Sequence, residues 1–228
     1  MRVRPFALYP LLIGVVLLAF LAALFLGAAR VPIAEMPESG IIRLRVARIL
    51  LGLVAGAGLS VAGVLFQALL RNPLADPYVL GVSSGAGLGA VTAILAGLGV
   101  WGAWTLPAAA FLGAAASMAL VYGLARTPGG GAPTHTLLLA GVVVSAVLGS
   151  LLMFLVSLST AEEVHNVLWW LLGNLQIFDV PLLVLVAVVV VAGILLAALR
   201  ARDLNVMTLG EEPAAHVGLN VERAKFFF

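Results

Sequence analysis

The sequence predicts an all-α membrane protein, a polytopic bundle of apolar helices, and three observations carry that prediction. Of its 228 residues, 63% are hydrophobic and only 10% are charged, against about 25% charged in an ordinary soluble domain. Mean hydropathy is +1.20, so there is too little polar surface to cover a globule and lipid must be the solvent. Long stretches carry no charge, and none alternates apolar with polar residues as a barrel strand does. The backbone must then satisfy its own hydrogen bonds as helix.

A spanning helix needs roughly 20 mostly apolar residues. Charge-free stretches supply six candidates: 6–29, 49–70, 78–98, 107–125, 136–158 and 180–199. The first follows Arg2 and Arg4 and exceeds the apolar core of a signal peptide, about 7–15 residues, so it reads as a retained span. The third and fourth share one uncharged run from Pro77 to Ala125, divided at "GLGVWGAWTLP", where Gly, Trp and Pro suit an interfacial turn. With the N-terminus inside, Arg2, Arg4, Arg71, Arg126, Arg200, Arg202, Arg223 and Lys225 fall on the cytoplasmic side. Arg30, Arg43, Arg45 and Arg48 fall outside, all in one expected loop. The positive-inside bias prefers this orientation.

Beyond the sixth candidate, "RDLNVMTLGEEPAAHVGLNVERAKFFF" is polar until its last residues. Thr208 and Glu211 fit a T-x-x-E capping box, opening a short helix that Gly218 would close, and Asn220 is expected to cap the next. Apolar residues resume at Phe226, where a seventh span is expected to begin, so the sequence reads as truncated before it.

Two catalytic-looking patterns fail on context. Gly81-Val82-Ser83-Ser84-Gly85 matches the nucleophile elbow, which needs a strand before it and a converging His and acid. Here a proline-broken loop leads into an apolar run, and the three His stand at 135, 165 and 216. Gly85-Ala86-Gly87-Leu88-Gly89-Ala90 fits a relaxed dinucleotide fingerprint, but that needs an acid about 20 residues on, and the next after Asp76 is Glu162. No P-loop is present and there is no cysteine, so P-loop ATP hydrolysis and thiolate chemistry are excluded. The glycines spaced by four, 52/56, 81/85 and 85/89, instead suit close helix packing. The six candidates also contain no Asp, Glu, Lys, Arg or His, whereas ion-coupled carriers usually place such groups at membrane depth. A chain that moves a solute without them draws its work from a partner. An ion-coupled carrier and an intramembrane serine hydrolase acting through Ser83 or Ser84 are the rival readings.

Residues 43–90, "RLRVARILLGLVAGAGLSVAGVLFQALLRNPLADPYVLGVSSGAGLGA", resemble the FecCD-type permeases of bacterial ABC importers. The match runs through Gly63, Gln67 and Arg71-Asn72-Pro73-Leu74-Ala75-Asp76-Pro77 to the Gly81–Gly87 stretch. Residues 203–225, "DLNVMTLGEEPAAHVGLNVERAK", resemble the family's cytoplasmic coupling segment, and "VLWWLLGNL", 167–175, its short outer helix. The resemblance implies a ten-span subunit of which six spans are present, forming a single permease domain over 1–228. It implies no catalytic residue, metal or cofactor on this chain, with ATP bound by a partner.

The partners implied are a second permease subunit (homo- or heterodimer), two ABC ATPase subunits and a periplasmic or lipid-anchored substrate-binding protein, at the bacterial inner membrane. The cargo implied is an iron–siderophore complex, haem or vitamin B12. Arg45 and Arg48 match positions that pair with the binding protein. Glu211, Glu212, Ala215, Gly218 and Asn220 match the ATPase-coupling element. Arg71, Asn72, Pro73, Asp76 and Pro77 form a cytoplasmic helix break, in which Asp76 or a neighbour is expected to satisfy free amides. Ser83, Ser84, Gly85, Gly87 and Ser145 are expected along the pathway or at helix contacts, with Ser150 a further pathway candidate. Trp169 and Trp170 are expected at the outer interface, and His165 beside them lacks the companions of a metal ligand.

Overall fold

The structure, a computed structural model, describes residues 5–27, 40–126, 131–175 and 179–228. Arg2, Arg4 and Arg30, and with them part of the charge-based orientation argument, lie outside the described residues. Ten α-helices follow in order among those described: α1 Pro5–Phe25, α2 Gly40–Leu70, α3 Val82–Leu95, α4 Thr105–Ala125, α5 Thr134–Ser157, α6 Ala161–Leu171, α7 Val180–Leu199, α8 Ala201–Met207, α9 Glu211–His216 and α10 Val221–Phe227. Five of them, α1, α2, α4, α5 and α7, are long and apolar enough to cross a membrane.

Two departures from the expected spans have clear physical causes. The third stretch, expected over 78–98, forms a helix of only 14 residues, rising about 21 Å where a bilayer core is about 30 Å thick. Pro77–Leu80 is wound instead as a 3-10 turn, and Gly97 at φ 67 ends the helix at the other side. The second stretch errs the opposite way. Helix α2 has 31 residues and starts at Gly40, so Arg43, Arg45 and Arg48 are helical and not in a loop. A charge-free window stops at the last arginine, whereas a helix about 46 Å long projects well beyond the hydrocarbon and carries charges there.

Contacts divide the chain into two compact units. The first comprises residues up to Gly56 together with Leu175–Val188. Within it Arg45 Nη1 donates to the Leu24 carbonyl oxygen at 2.9 Å, satisfying a carbonyl that the last turn of α1 leaves free. Asp179 caps the start of α7, its Oδ1 accepting from the Leu182 amide at 3.0 Å. Nearly all described side chains of α1 are exposed, as a lipid-facing helix requires.

The second unit comprises Ala57–Asn174 and Val189–Phe228. Its centre is the antiparallel pair α3 and α4. A Cβ at Gly85 would strike Ser117 and the Gly113 carbonyl, one at Gly89 the Ala109 carbonyl, and one at Gly113 the Gly85 carbonyl. Small residues at 85 and 89 thus face small residues at 109, 113 and 117, and the backbones touch directly. Helix α5 lies parallel to α3: Gly81 abuts Val144 and Ser145, and Gly87 abuts Leu152. Leu80, Val121, Ala125, Ala132, Leu137 and Val144 form the adjoining buried core.

Candidate functional site

The helix break is built by three short side-chain bonds. Pro73 and Pro77 forbid continuation of α2. Asp76 Oδ1 accepts from the Tyr78 amide at 2.7 Å and Asn72 Oδ1 from the Leu74 amide at 2.9 Å, while Gln67 Nε2 donates to the Pro73 carbonyl at 3.0 Å. Arg71 takes a left-handed conformation at φ 48, and its guanidinium lies against Gly210, where a Cβ would sit 3.1 Å from Nη1. The expected helix break is therefore in contact with the expected coupling segment.

That segment folds as three short helices, α8 to α10, around a core of its own. Leu69 from the end of α2 packs with Met207, Ala214 and Ala224. Gly218, at φ 87, closes α9 in a Schellman arrangement: its amide donates to the Ala215 carbonyl and the Leu219 amide to the Ala214 carbonyl. Asn220 Oδ1 accepts from the Arg223 amide at 3.0 Å and caps α10.

The Thr208–Glu211 capping box does not form. Gly210 is the N-cap of α9, with no side-chain cap bond, and Thr208 Oγ1 donates instead to the Asn205 carbonyl at 2.7 Å. The Glu211 carboxylate is engaged elsewhere. It accepts from Lys225 Nζ at 2.7 Å through one oxygen and from Thr134 Oγ1 at 2.7 Å through the other. Lys225 Nζ also reaches Glu222 Oε1 at 3.2 Å and the Ala132 carbonyl at 2.8 Å. The other oxygen of Glu222 accepts from the Ala132 amide at 3.1 Å and the Tyr122 hydroxyl at 3.4 Å.

The Lys225 side chain is only 1% exposed, so the interior tolerates its charge because two carboxylates and a carbonyl surround it. Burial alone pushes the Glu211 carboxyl up, but the Lys225 ammonium and the two Thr134 donors together outweigh it and hold the group below its ordinary value.

Of the residues assigned to coupling, Glu212 and Ala215 are exposed on α9, and Glu211 is half-buried. Arg71, His135, Glu211 and Glu212 line one cleft of about 570 Å³ at this end of the second unit. Sequence reasoning missed Lys225, Glu222, Thr134 and Ala132. The Glu222–Lys225 spacing of three was a visible signal for one pair, while the links to residues 132–134 span 77 to 93 positions and had none.

Elsewhere the candidates separate. Arg45 bonds to α1, whereas Arg48 is exposed. In the Gly81–Gly87 stretch Ser83 is exposed on the first turn of α3, Ser84 is half-buried, and Gly85 and Gly87 are buried at helix contacts. Gly81 takes φ 79, and its carbonyl accepts from Ser117 Oγ at 2.8 Å. Ser145 Oγ is buried beside Gly81 without a hydrogen-bond partner among the described residues, and Ser150 is exposed. The outer helix expected at 167–175 starts earlier, as α6, because Thr160 and Glu163 form a full capping box, and Gly173 at φ 83 follows its end. His165 and Trp169 on it are exposed and meet edge to face at 6.0 Å.

The model of the FecCD transport family matches residues 15–228. The chain belongs to that family. It is 42% identical over 193 residues to the cobalamin import system permease protein BtuC of Halobacterium salinarum, covering 80% of this chain and 48% of that protein. It is 37% identical to the Fe(3+) dicitrate transport system permease protein FecD of Escherichia coli, covering 80% of this chain and 56% of that one. A solved structure described as a metal-chelate type ABC transporter in an inward-facing conformation superposes with TM-score 0.79 at 26% identity, covering 96% of this chain and 71% of that chain. The chain thus spans about half the length of the curated relatives it matches.

Proposed function

We propose that this chain is part of the membrane permease subunit of an ABC importer, forming one wall of the path for a metal chelate or a corrinoid. The cargo class is an iron–siderophore complex, haem or cobalamin. Two relatives of comparable identity are named for a corrinoid and for an iron chelate, so overall similarity does not select among them.

The observation that carries the reading is the α8–α10 module, a compact element with its own core held on the ends of α2, α4 and α5. A pathway subunit without a P-loop takes its work from outside, and such a module is a handle by which a partner can move spanning helices. The partner is an ABC ATPase pair that binds ATP, contacted through the exposed Glu212, Ala215 and His216 side of α9. A second permease subunit completes the path. A substrate-binding protein docks at the start of α2, where Arg48 offers an exposed cation and Arg45 orients the helix end; such rim charges steer more than they hold. The site is the bacterial inner membrane, with the N-terminus and α8–α10 in the cytoplasm.

The test is co-purification of the tagged chain with its ABC ATPase. The wild type should retain the ATPase, and Glu212→Lys with Ala215→Trp should lower retention at least tenfold while the helical content stays unchanged. No retention by the wild type, or undiminished retention by the double variant, would remove the reading.

A further inference from the structure

Helix α5 begins without a cap of its own. Its N-cap position is Pro133, which offers no side-chain acceptor, so the amides of its first turn need an acceptor from elsewhere. That acceptor is Glu211, contributed from 77 residues away: its Oε1 takes the Thr134 amide at 3.3 Å as well as the Thr134 hydroxyl at 2.7 Å. A carboxylate at the positive end of a helix is also the favourable charge. Two residues earlier, just before the helix, Glu222 takes the Ala132 amide, and Lys225 donates to the Ala132 carbonyl. Both backbone groups of buried Ala132 and the first amide of α5 are therefore satisfied by α9 and α10.

We propose that Lys225 is a positioning residue whose buried ammonium holds Glu211 and Glu222 in place as the N-terminal cap of α5, so that α9, α10 and the start of α5 move as one piece. This rests on the permease reading only for its purpose, which is to pass displacement of α9 directly into a spanning helix. Lys225 acts through the two carboxylates and touches neither cargo nor ATPase. The assignment also divides the neighbouring acids: Glu211 faces inward as a clamp, and Glu212 is left exposed for the partner.

Two readouts on the permease as expressed decide it. Amide hydrogen exchange in detergent reports the cap without any partner. Lys225→Met and Glu211→Gln should speed exchange across 131–136 at least tenfold, while Glu212→Gln and Lys225→Arg leave it within twofold of wild type. The protection of α3 and α4 should be unaltered, which separates a lost cap from a lost fold.

The second readout is the change in α5 exchange when ATP is added to the permease–ATPase complex. Lys225→Met should abolish that change while retaining the ATPase and its hydrolysis, and Lys225→Arg should keep it. Unaltered exchange at 131–136 in Lys225→Met, or a full ATP-dependent response of α5 in that variant, would overturn the proposal. Failure of the wild type to bind ATPase would defeat the permease reading alone, since the first readout still decides the clamp.

Discussion

Adding one methyl group at Gly113 should open the α3–α4 contact, and the cost follows from what that methyl meets. The obstacle is the Gly85 carbonyl, and the reciprocal methyl at Gly85 meets the Gly113 carbonyl and Ser117. Backbone cannot rotate aside as a side-chain tip can, so the helices must separate or bend. Overpacking of this kind costs about 1–3 kcal/mol, against which the gain in helix propensity from Gly to Ala recovers up to ~1 kcal/mol.

Gly113→Ala should thus destabilise by about 1–2 kcal/mol. Gly149 supplies the control, because it lies inside α5 with nothing among the described residues within 4 Å of its ideal Cβ. Gly149→Ala should stabilise by up to ~1 kcal/mol. The double variant Gly85→Ala/Gly113→Ala should cost less than the two singles added, since one separation relieves both collisions. Equilibrium unfolding in mixed detergent micelles measures all four. A Gly113→Ala protein as stable as wild type, or a Gly149→Ala protein that loses as much as Gly113→Ala, would mean that direct backbone contact between α3 and α4 does not limit stability.

The other predictions concern charges and caps. Because the folded pKa of Glu211 lies below its unfolded value, its contribution is complete above the unfolded value and is lost as pH falls through the lower folded one. Protection of residues 131–136 should hold at neutral pH and fail only in acid below the ordinary carboxylate range, and Glu211→Gln should remove that acid step. In the first unit, Arg45→Ala should lower stability by about 1–2 kcal/mol through loss of the charged bond to Leu24, and Arg48→Ala by less than about 0.5 kcal/mol; thermal melts of the two variants compare them. Thr160→Ala should cost about 1 kcal/mol, read as fraying of α6 by exchange at residues 161–164, because the Glu163 amide loses the hydroxyl that accepts from it, while the Thr160 amide still donates to the Glu163 carboxylate.

How far the sequence could be read depended on the range of the interaction concerned. Apolar runs located α1, α4, α5 and α7 within a few residues, because lipid imposes the same demand on every turn of a spanning helix. Local caps were also legible: Asp76, Asn220 and Gly218 act within three residues of their own positions.

Boundaries governed by charge were not. Arginines 43, 45 and 48 looked like the end of a helix, yet a helix projecting from the bilayer carries them without cost. Helix α3 looked like a span by composition, whereas Pro77 and Gly97 shorten it from both ends. The T-x-x-E pattern at 208–211 misled for a different reason. Glu211 has two better ligands in Lys225 and Thr134, and only the folded chain brings the three together. The elbow and dinucleotide patterns around Gly81–Ala90 reflect a single requirement, small residues where α3 meets α4 and α5.

On the proposed reading, the permease subunit draws no work from an ion gradient and is moved through α8–α10 by an ATPase. Proteoliposomes holding the permease, with and without its ABC ATPase, test it most directly when loaded binding protein and an iron chelate, haem or cobalamin are supplied on the appropriate face. Accumulation against a concentration gradient is expected only when ATPase and hydrolysable ATP are both present. Accumulation by the permease alone, driven by a proton or sodium gradient, would contradict it.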